Sequence, residues 1–308
     1  MKKRAFYLIA TAIIALAAFV ACGERPGDED KDPKIQITLE ALAYFDVKIE
    51  VKGAGKMTIK WGDETAVEKH VISDTATYFR HSYKKSASYT ISITGNISFL
   101  NCGANQITLL DVSKHPNMSS LDCSNNRLTN LDISKNTSLR YLNCSGNDLI
   151  NLDVTHCPNM KELFCGGNRL ERLEVGKHNL TKLHCSGNYI TSLDLGYSTS
   201  LTELFCSRNK LTTLDVSWNS QLIVLDCSSN AADPDHRLSS LDLSRNSWLK
   251  NVGCSANGFS ENALNALFGT LHDNATPKEY AIDVTGNPGS YLCDPTIAEA
   301  KGWKVFYR

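Results

Sequence analysis

Eight times between residues 102 and 257, a cysteine is followed three positions later by an asparagine. The pairs are Cys102 and Asn105, Cys123 and Asn126, Cys144 and Asn147, Cys165 and Asn168, Cys185 and Asn188, Cys206 and Asn209, Cys227 and Asn230, and Cys254 and Asn257. Successive cysteines lie 21, 21, 21, 20, 21, 21 and 27 residues apart, and the long interval holds an insert at residues 231–237. A fixed short period constrains a chain strongly. Each unit is too small to bury its own apolar face, so the units must stack on one another. The spacing is not that of a zinc site, and no C-x-x-C pair occurs.

The unit reads L-x-x-L-x-C-S-x-N-x-L-T-x-L-D-V-S-x-N, as at Leu139, Leu142, Cys144, Ser145 and Asn147. It resembles the leucine-rich repeat, and is similar to the 21-residue, cysteine-bearing bacterial class, over about residues 97–259. Leucine and cysteine at alternate positions of a short strand point inward and are buried by stacking, which gives a parallel-sheet solenoid. The cysteines then form a ladder of small buried hydrophobes rather than a disulfide framework, because parallel β-carbon vectors suit the bridge dihedral poorly. The asparagines turn the chain out of the strand, their amides bonding backbone groups that would otherwise be buried unpaired. Cys157 stands where other units have Asn136 and Asn219, and reads as a substituted turn residue.

A second leucine segment in each unit carries an acid: Asp111, Asp132, Asp153, Glu174, Asp194, Asp215 and Asp242. Two readings are open. The column could hold calcium, or each carboxylate could accept a nearby backbone amide or a hydroxyl of Ser113, Ser134, Thr155, Ser217 or Ser244. No second set of regular acids supplies the six to eight oxygens calcium takes, and short aspartates suit local capping.

Outside the repeat the chain changes character. Lys2, Lys3 and Arg4 precede an apolar run to Val20, too short to span a bilayer, so residues 1–21 read as a signal peptide. Phe19-Val20-Ala21-Cys22 resembles a bacterial lipobox, with Phe19 in place of the usual leucine; this implies lipidation of Cys22, plain secretion being the alternative. Residues 22–33 form an acidic tether, which resembles the export signal of surface lipoproteins of Bacteroidota. That resemblance implies an outer-membrane lipoprotein exposed on a Gram-negative cell. Residues 34–96 alternate with period two between glycine-rich breaks, as antiparallel strands do. Trp61-Gly62-Asp63, His81-Ser82-Tyr83 and the strand from Tyr89 to Ile93 resemble the core of a PKD-type β-sandwich, a spacer or recognition module. Asp63 and His81 read as a turn aspartate and a packed histidine. Residues 260–308 read as a C-terminal α/β cap containing Cys293, whose pairing is left open. The expected architecture is therefore β-rich: a leucine-rich-repeat solenoid of parallel stacked strands with that cap, preceded by a small antiparallel sandwich.

Lysine plus arginine number 32 against 33 acids, and removing residues 1–21 takes the net charge from −1 to −4, so nothing favours nucleic acid as a partner. Around the second leucine of each unit, side chains point away from the core. On one side stand Tyr141, Glu162, Lys182 and Glu203; on the other, Phe164, His184 and Phe205 in consecutive units. Contiguous aromatics rimmed by polar groups suit a partner, although neighbouring rings also stabilise a ladder by stacking on each other. Glu162 and Glu203, with Lys182 between them, suit a charge ladder better than an acid–base pair. The expected function is non-enzymatic recognition or adhesion at the cell surface. It would bind a protein or glycan on this face, as a monomer without cofactor or metal. A hydrolytic surface enzyme and a structural coat protein remain the alternatives.

Overall fold

The computed structural model describes residues 33–175, 177–233, 236–274 and 280–308. The signal segment, Cys22 and the tether lie outside the described residues. The repeat folds as expected, into a leucine-rich-repeat solenoid of about nine turns. Its strands are three residues long: β7 (Ser120–Asp122), β8 (Tyr141–Asn143), β9 (Glu162–Phe164), β10 (Lys182–His184), β11 (Glu203–Phe205), β12 (Val224–Asp226) and β15 (Asn251–Gly253). The pair β13 (Ala231–Asp233) and β14 (His236–Arg237) forms a hairpin in the insert. All the solenoid strands are parallel and in register, with Leu121, Leu142, Leu163, Leu183, Leu204, Leu225 and Val252 in one column. The next inward position is the cysteine ladder, Cys102 to Cys254, fully buried and unbridged.

The asparagines close the turn in pairs of units. The Asn168 Nδ2 donates to the carbonyls of Cys144 and Cys165, both at 3.0 Å, and its Oδ1 accepts the Leu149 N–H at 3.1 Å. A second ladder runs at the far turn. There Asn136, Asn219 and Asn246 each hold two carbonyls of the preceding unit. Cys157 sits in this ladder with its thiol towards the Ile133 and Asn136 carbonyls, and His178 and Ser198 fill it with their own donors. The acid column is engaged locally: Asp111, Asp132, Asp153, Asp194, Asp215 and Asp242 each accept the backbone N–H two residues on, at 2.8 to 3.0 Å.

The N-terminal strands are antiparallel: β1 (Lys34–Ala41), β2 (Phe45–Lys60), β3 (Glu68–Ile72), β4 (Thr77–Tyr83), β5 (Ala87–Asn101) and β6 (Ile107–Asp111). The boundary expected at residues 96/97 falls inside β5. This strand begins beside β1 and ends as the first parallel strand of the solenoid, with Leu100 opposite Leu121. β6 belongs by sequence to the first repeat, yet pairs with β1. The two long strands β2 and β5 bend past each other at Gly53 and Gly95. A Cβ at Gly53 would lie 2.0 Å from the Asn96 carbonyl oxygen, and Gly95 has φ +134°. The bends let β5 pair with both halves of β2 and join two antiparallel stretches to the solenoid through one core. This segment also caps the asparagine ladder. Asn105 has no preceding unit to bond, and instead exchanges hydrogen bonds with the Lys48 backbone at 2.9 and 2.7 Å.

At the other end the ladder runs beyond its expected limit at residue 259. Helix α1 (Glu261–Thr270) is capped by the Ser260 hydroxyl, and after it β16 (Tyr280–Asp283) pairs in register with β15. Ile282 and Val284 occupy the leucine and cysteine positions, and Asn287 bonds the Cys254 and Val284 carbonyls as a ladder asparagine does. A short helix α2 (Thr296–Glu299) and strand β17 (Trp303–Phe306) complete the sheet. Cys293 is unbridged and buried. Among the described residues, no helix is long and apolar enough to cross a membrane.

Candidate functional site

The strand face carries two outward columns, one on each side of the buried leucine. In the column after it, most units hold a short polar side chain that caps the strand exit. Asn101, Asp122, Asn143, Asp226 and Asp283 each accept the N–H two residues on, at 2.9 to 3.2 Å. Three consecutive units forgo this bond, because Phe164, His184 and Phe205 stand there instead. Each such capping bond contributes about 1 kcal/mol, so the central units give up local stabilisation for three rings.

The rings form a continuous half-buried ridge. Tyr141 lies 5.5 Å from Phe164, Phe164 lies 4.5 Å from His184, and His184 lies 4.4 Å from Phe205, measured between ring centroids. The last two pairs meet at 71° and 57°, so the rings interlock rather than lie flat. The sequence-level stacking of neighbouring rings is therefore present, and the ridge still reaches solvent along its length.

The column before the leucine supplies charge. Glu203 binds Lys182 at 3.0 Å and His184 at 3.2 Å. Burial would raise the Glu203 carboxyl, but the Lys182 bond and charge, then His184, outweigh it and hold the group below its ordinary range. Burial likewise holds the His184 imidazole down against the pull of Glu203. Lys182 and Glu203 thus neutralise each other beside an uncharged ring. Glu162 makes no ion pair with Lys182, so the alternating ladder expected from sequence closes on one side only. Glu203 is committed to two partners, and this arrangement does not resemble a pair of carboxylates poised for acid–base chemistry.

Elsewhere, the His81 Nε2 lies 2.8 Å from Asp63, and its ring stacks on Trp61 at 4.8 Å and 11°. Asp63 also accepts the Thr65 N–H at 3.1 Å, and no hydroxyl or thiol bonds to His81 among the described residues. These are the turn and packing roles read from the sequence. Sequence reasoning missed the continuation of the strand face onto β2 and β4, where Glu50 pairs with Asn101 and Lys52 lies over the Phe99 ring at 4.9 Å. No signal within the repeat announces that continuation. The loss of the capping residue in three units could have been found, since Asn and Asp fill the same position in the flanking units.

Comparison with known proteins agrees with this architecture. The family description "Leucine Rich repeats (2 copies)" matches residues 178–217. The functional domain of InlJ from Listeria monocytogenes, a structure reported to include a cysteine ladder, is similar over 68% of this chain, with 33% identity and a TM-score of 0.58. The match covers 44% of that domain, so this chain spans less than half its length. Internalin C2 from Listeria monocytogenes is more distant, at 18% identity and a TM-score of 0.44, over 68% of this chain and 80% of that one. No curated protein matches. The stacked strands and the cysteine ladder define the class of fold, a leucine-rich-repeat solenoid, to which the InlJ domain is similar.

Proposed function

We propose that the chain is a non-enzymatic recognition protein of the cell surface. Its partner would be held on the strand face by Phe164, His184 and Phe205, with Tyr141, Glu162, Lys182 and Glu203 around them. The observation that carries this reading is the exchange of three capping residues for a contiguous aromatic ridge in otherwise regular units. Ring stacking offsets part of the lost capping, and positions where a regular repeat departs from its own local rule are where function is expected. Interlocked rings present no flat platform for a sugar to stack on, so the geometry favours a protein partner over a glycan. The lipobox-like Phe19-Val20-Ala21-Cys22 and the acidic stretch after it support an outer-membrane lipoprotein.

A photo-crosslinking amino acid placed at Tyr141, beside the ridge, should capture the partner on intact cells mixed with host or community material. The same group at the exposed flank residue Thr213 should not. Crosslinks from Thr213 alone would place recognition elsewhere, and glycan-only products from Tyr141 would replace the protein by a sugar. For the anchor, Cys22→Ala or globomycin should cause precursor to accumulate or membrane association to fail. Wild-type processing of the variant would exclude lipidation.

A further inference from the structure

The outward face does not stop at the first turn of the solenoid. Through β5 the sheet runs on into β2 and β4, pairing Asn101 with Glu50 and Glu50 with Tyr78. A groove of about 410 Å³ opens at this join, lined by Lys48, Glu50, Tyr78, Arg80, Asn101 and Gly103.

Lys48 and Arg80 stand directly opposite each other across the antiparallel β2–β4 pair, and both are exposed. Like charges so placed destabilise a sheet. Among the described residues, neither side chain makes an ion pair or a hydrogen bond. The adjacent carboxylate is already engaged, since Glu50 accepts the Asn101 amide at 3.4 Å and the Tyr78 hydroxyl. Asp46 lies opposite Ser82, and Lys52 is turned onto the Phe99 ring. Two cations against the single Glu50 carboxylate therefore leave this groove with one net positive charge, beside a tyrosine ring that is 74% exposed.

We propose that this groove is an anion subsite that takes a single carboxylate of a protein partner between the Lys48 ammonium and the Arg80 guanidinium. The neighbouring side chain of the partner would lie on the Tyr78 ring. Charge complementarity favours one carboxylate over a sulfated polyanion. The cations of the groove outnumber its one carboxylate, Glu50, by one, and a longer anionic chain would meet Asp122 and Glu162 further along the same face. Four strand steps separate β2 from β9, a span of ~19 Å, so one partner can reach both the groove and the aromatic ridge. The inference rests on the recognition reading for the partner being a protein.

The test is an NMR titration of the purified protein with N-acetyl-Tyr-Glu-amide, following the backbone amides of Asn101 and Gly103. These resonances should shift with saturation in the millimolar range. N-acetyl-Tyr-Gln-amide should bind at least fivefold more weakly, as should the glutamate probe to a Lys48→Ala, Arg80→Ala variant with an unchanged circular dichroism spectrum. Phe164→Ala with Phe205→Ala should leave this titration unaltered, which separates the subsite from the ridge. Absence of saturable shifts, equal binding of the two probes, or equal binding by the Lys48/Arg80 variant would each overturn the proposal. Tighter binding of a heparin disaccharide with the same residue dependence would also overturn it, in favour of a glycan subsite. None of these outcomes bears on crosslinking at Tyr141, so the subsite can fall while the recognition reading stands.

Discussion

Each ladder asparagine replaces a missing backbone partner, and its removal is costly for that reason. Asn168→Ala would orphan the buried Leu149 N–H and leave the Cys144 and Cys165 carbonyls with one amide donor each, from Asn147 and Asn188. A loss of about 2 kcal/mol follows from one orphaned buried donor, measurable by urea unfolding; a change below 0.5 kcal/mol would contradict the ladder's role. The cysteines behave differently, as shape-filling hydrophobes. Burial pushes the Cys144, Cys185 and Cys227 thiols up to about 12, so thiolate is scarce at neutral pH. Native labelling should be slow and should rise sharply on denaturation without reductant, and Cys165→Ser should cost ~1–3 kcal/mol. Mass evidence for bridges among these residues would refute both. His115 fills the far-turn ladder, its Nε2 against the Gly95 carbonyl at 3.0 Å. Burial holds its imidazole below the ordinary value of 6.5, outweighing the Gly95 bond and Asp111. A lowered value means the fold prefers the neutral ring. The stabilisation is whole above pH 6.5 and is lost as pH falls through the lowered folded value. His115→Asn, which installs the residue found at Asn136, should therefore flatten the fall in melting temperature between pH 7 and 5. Equal slopes in the two proteins would assign the acid sensitivity to His184 and to His272 in the C-terminal segment, whose imidazoles burial also holds below the ordinary value.

The elements differ in how far their sequence betrays them. The solenoid strands are legible because the period leaves the chain no other way to bury Leu142 or Cys144. The ninth unit is not, because it lacks the cysteine that marks the other eight. Val284 replaces that cysteine, and α1 stretches the interval from Asn257 to Asn287 to 30 residues. Gly286-Asn287 is visible as a turn, but nothing local marks it as a rung. The aromatic ridge is legible as a column, whereas the tie of Glu203 to both Lys182 and His184 depends on side-chain geometry that spacing does not encode. The local capping by the acid column follows from chemistry already present in the sequence. An aspartate two residues before a free backbone N–H accepts that bond, as Asp132, Asp215 and Asp242 do.

At the scale of the whole molecule, the N-terminal strands are part of the solenoid's construction rather than a separate spacer. Pairing of β5 with β7 and of β6 with β1 is non-local, so no pattern within residues 97–111 reveals it. Residues 97–308 alone would lose the cap on Asn105 and expose β6. That fragment should melt at a lower temperature than residues 33–308 and exchange the amides of its first unit rapidly. Matched melting and protection would mean that the β segment is dispensable for the fold. The central claim concerns the ridge, and a binding titration of the crosslinked partner tests it most directly. Phe164→Ala with Phe205→Ala, its circular dichroism unchanged, should weaken affinity at least tenfold, or about 1.4 kcal/mol. Affinity equal to wild type in that double variant would contradict the account and move the site off this face.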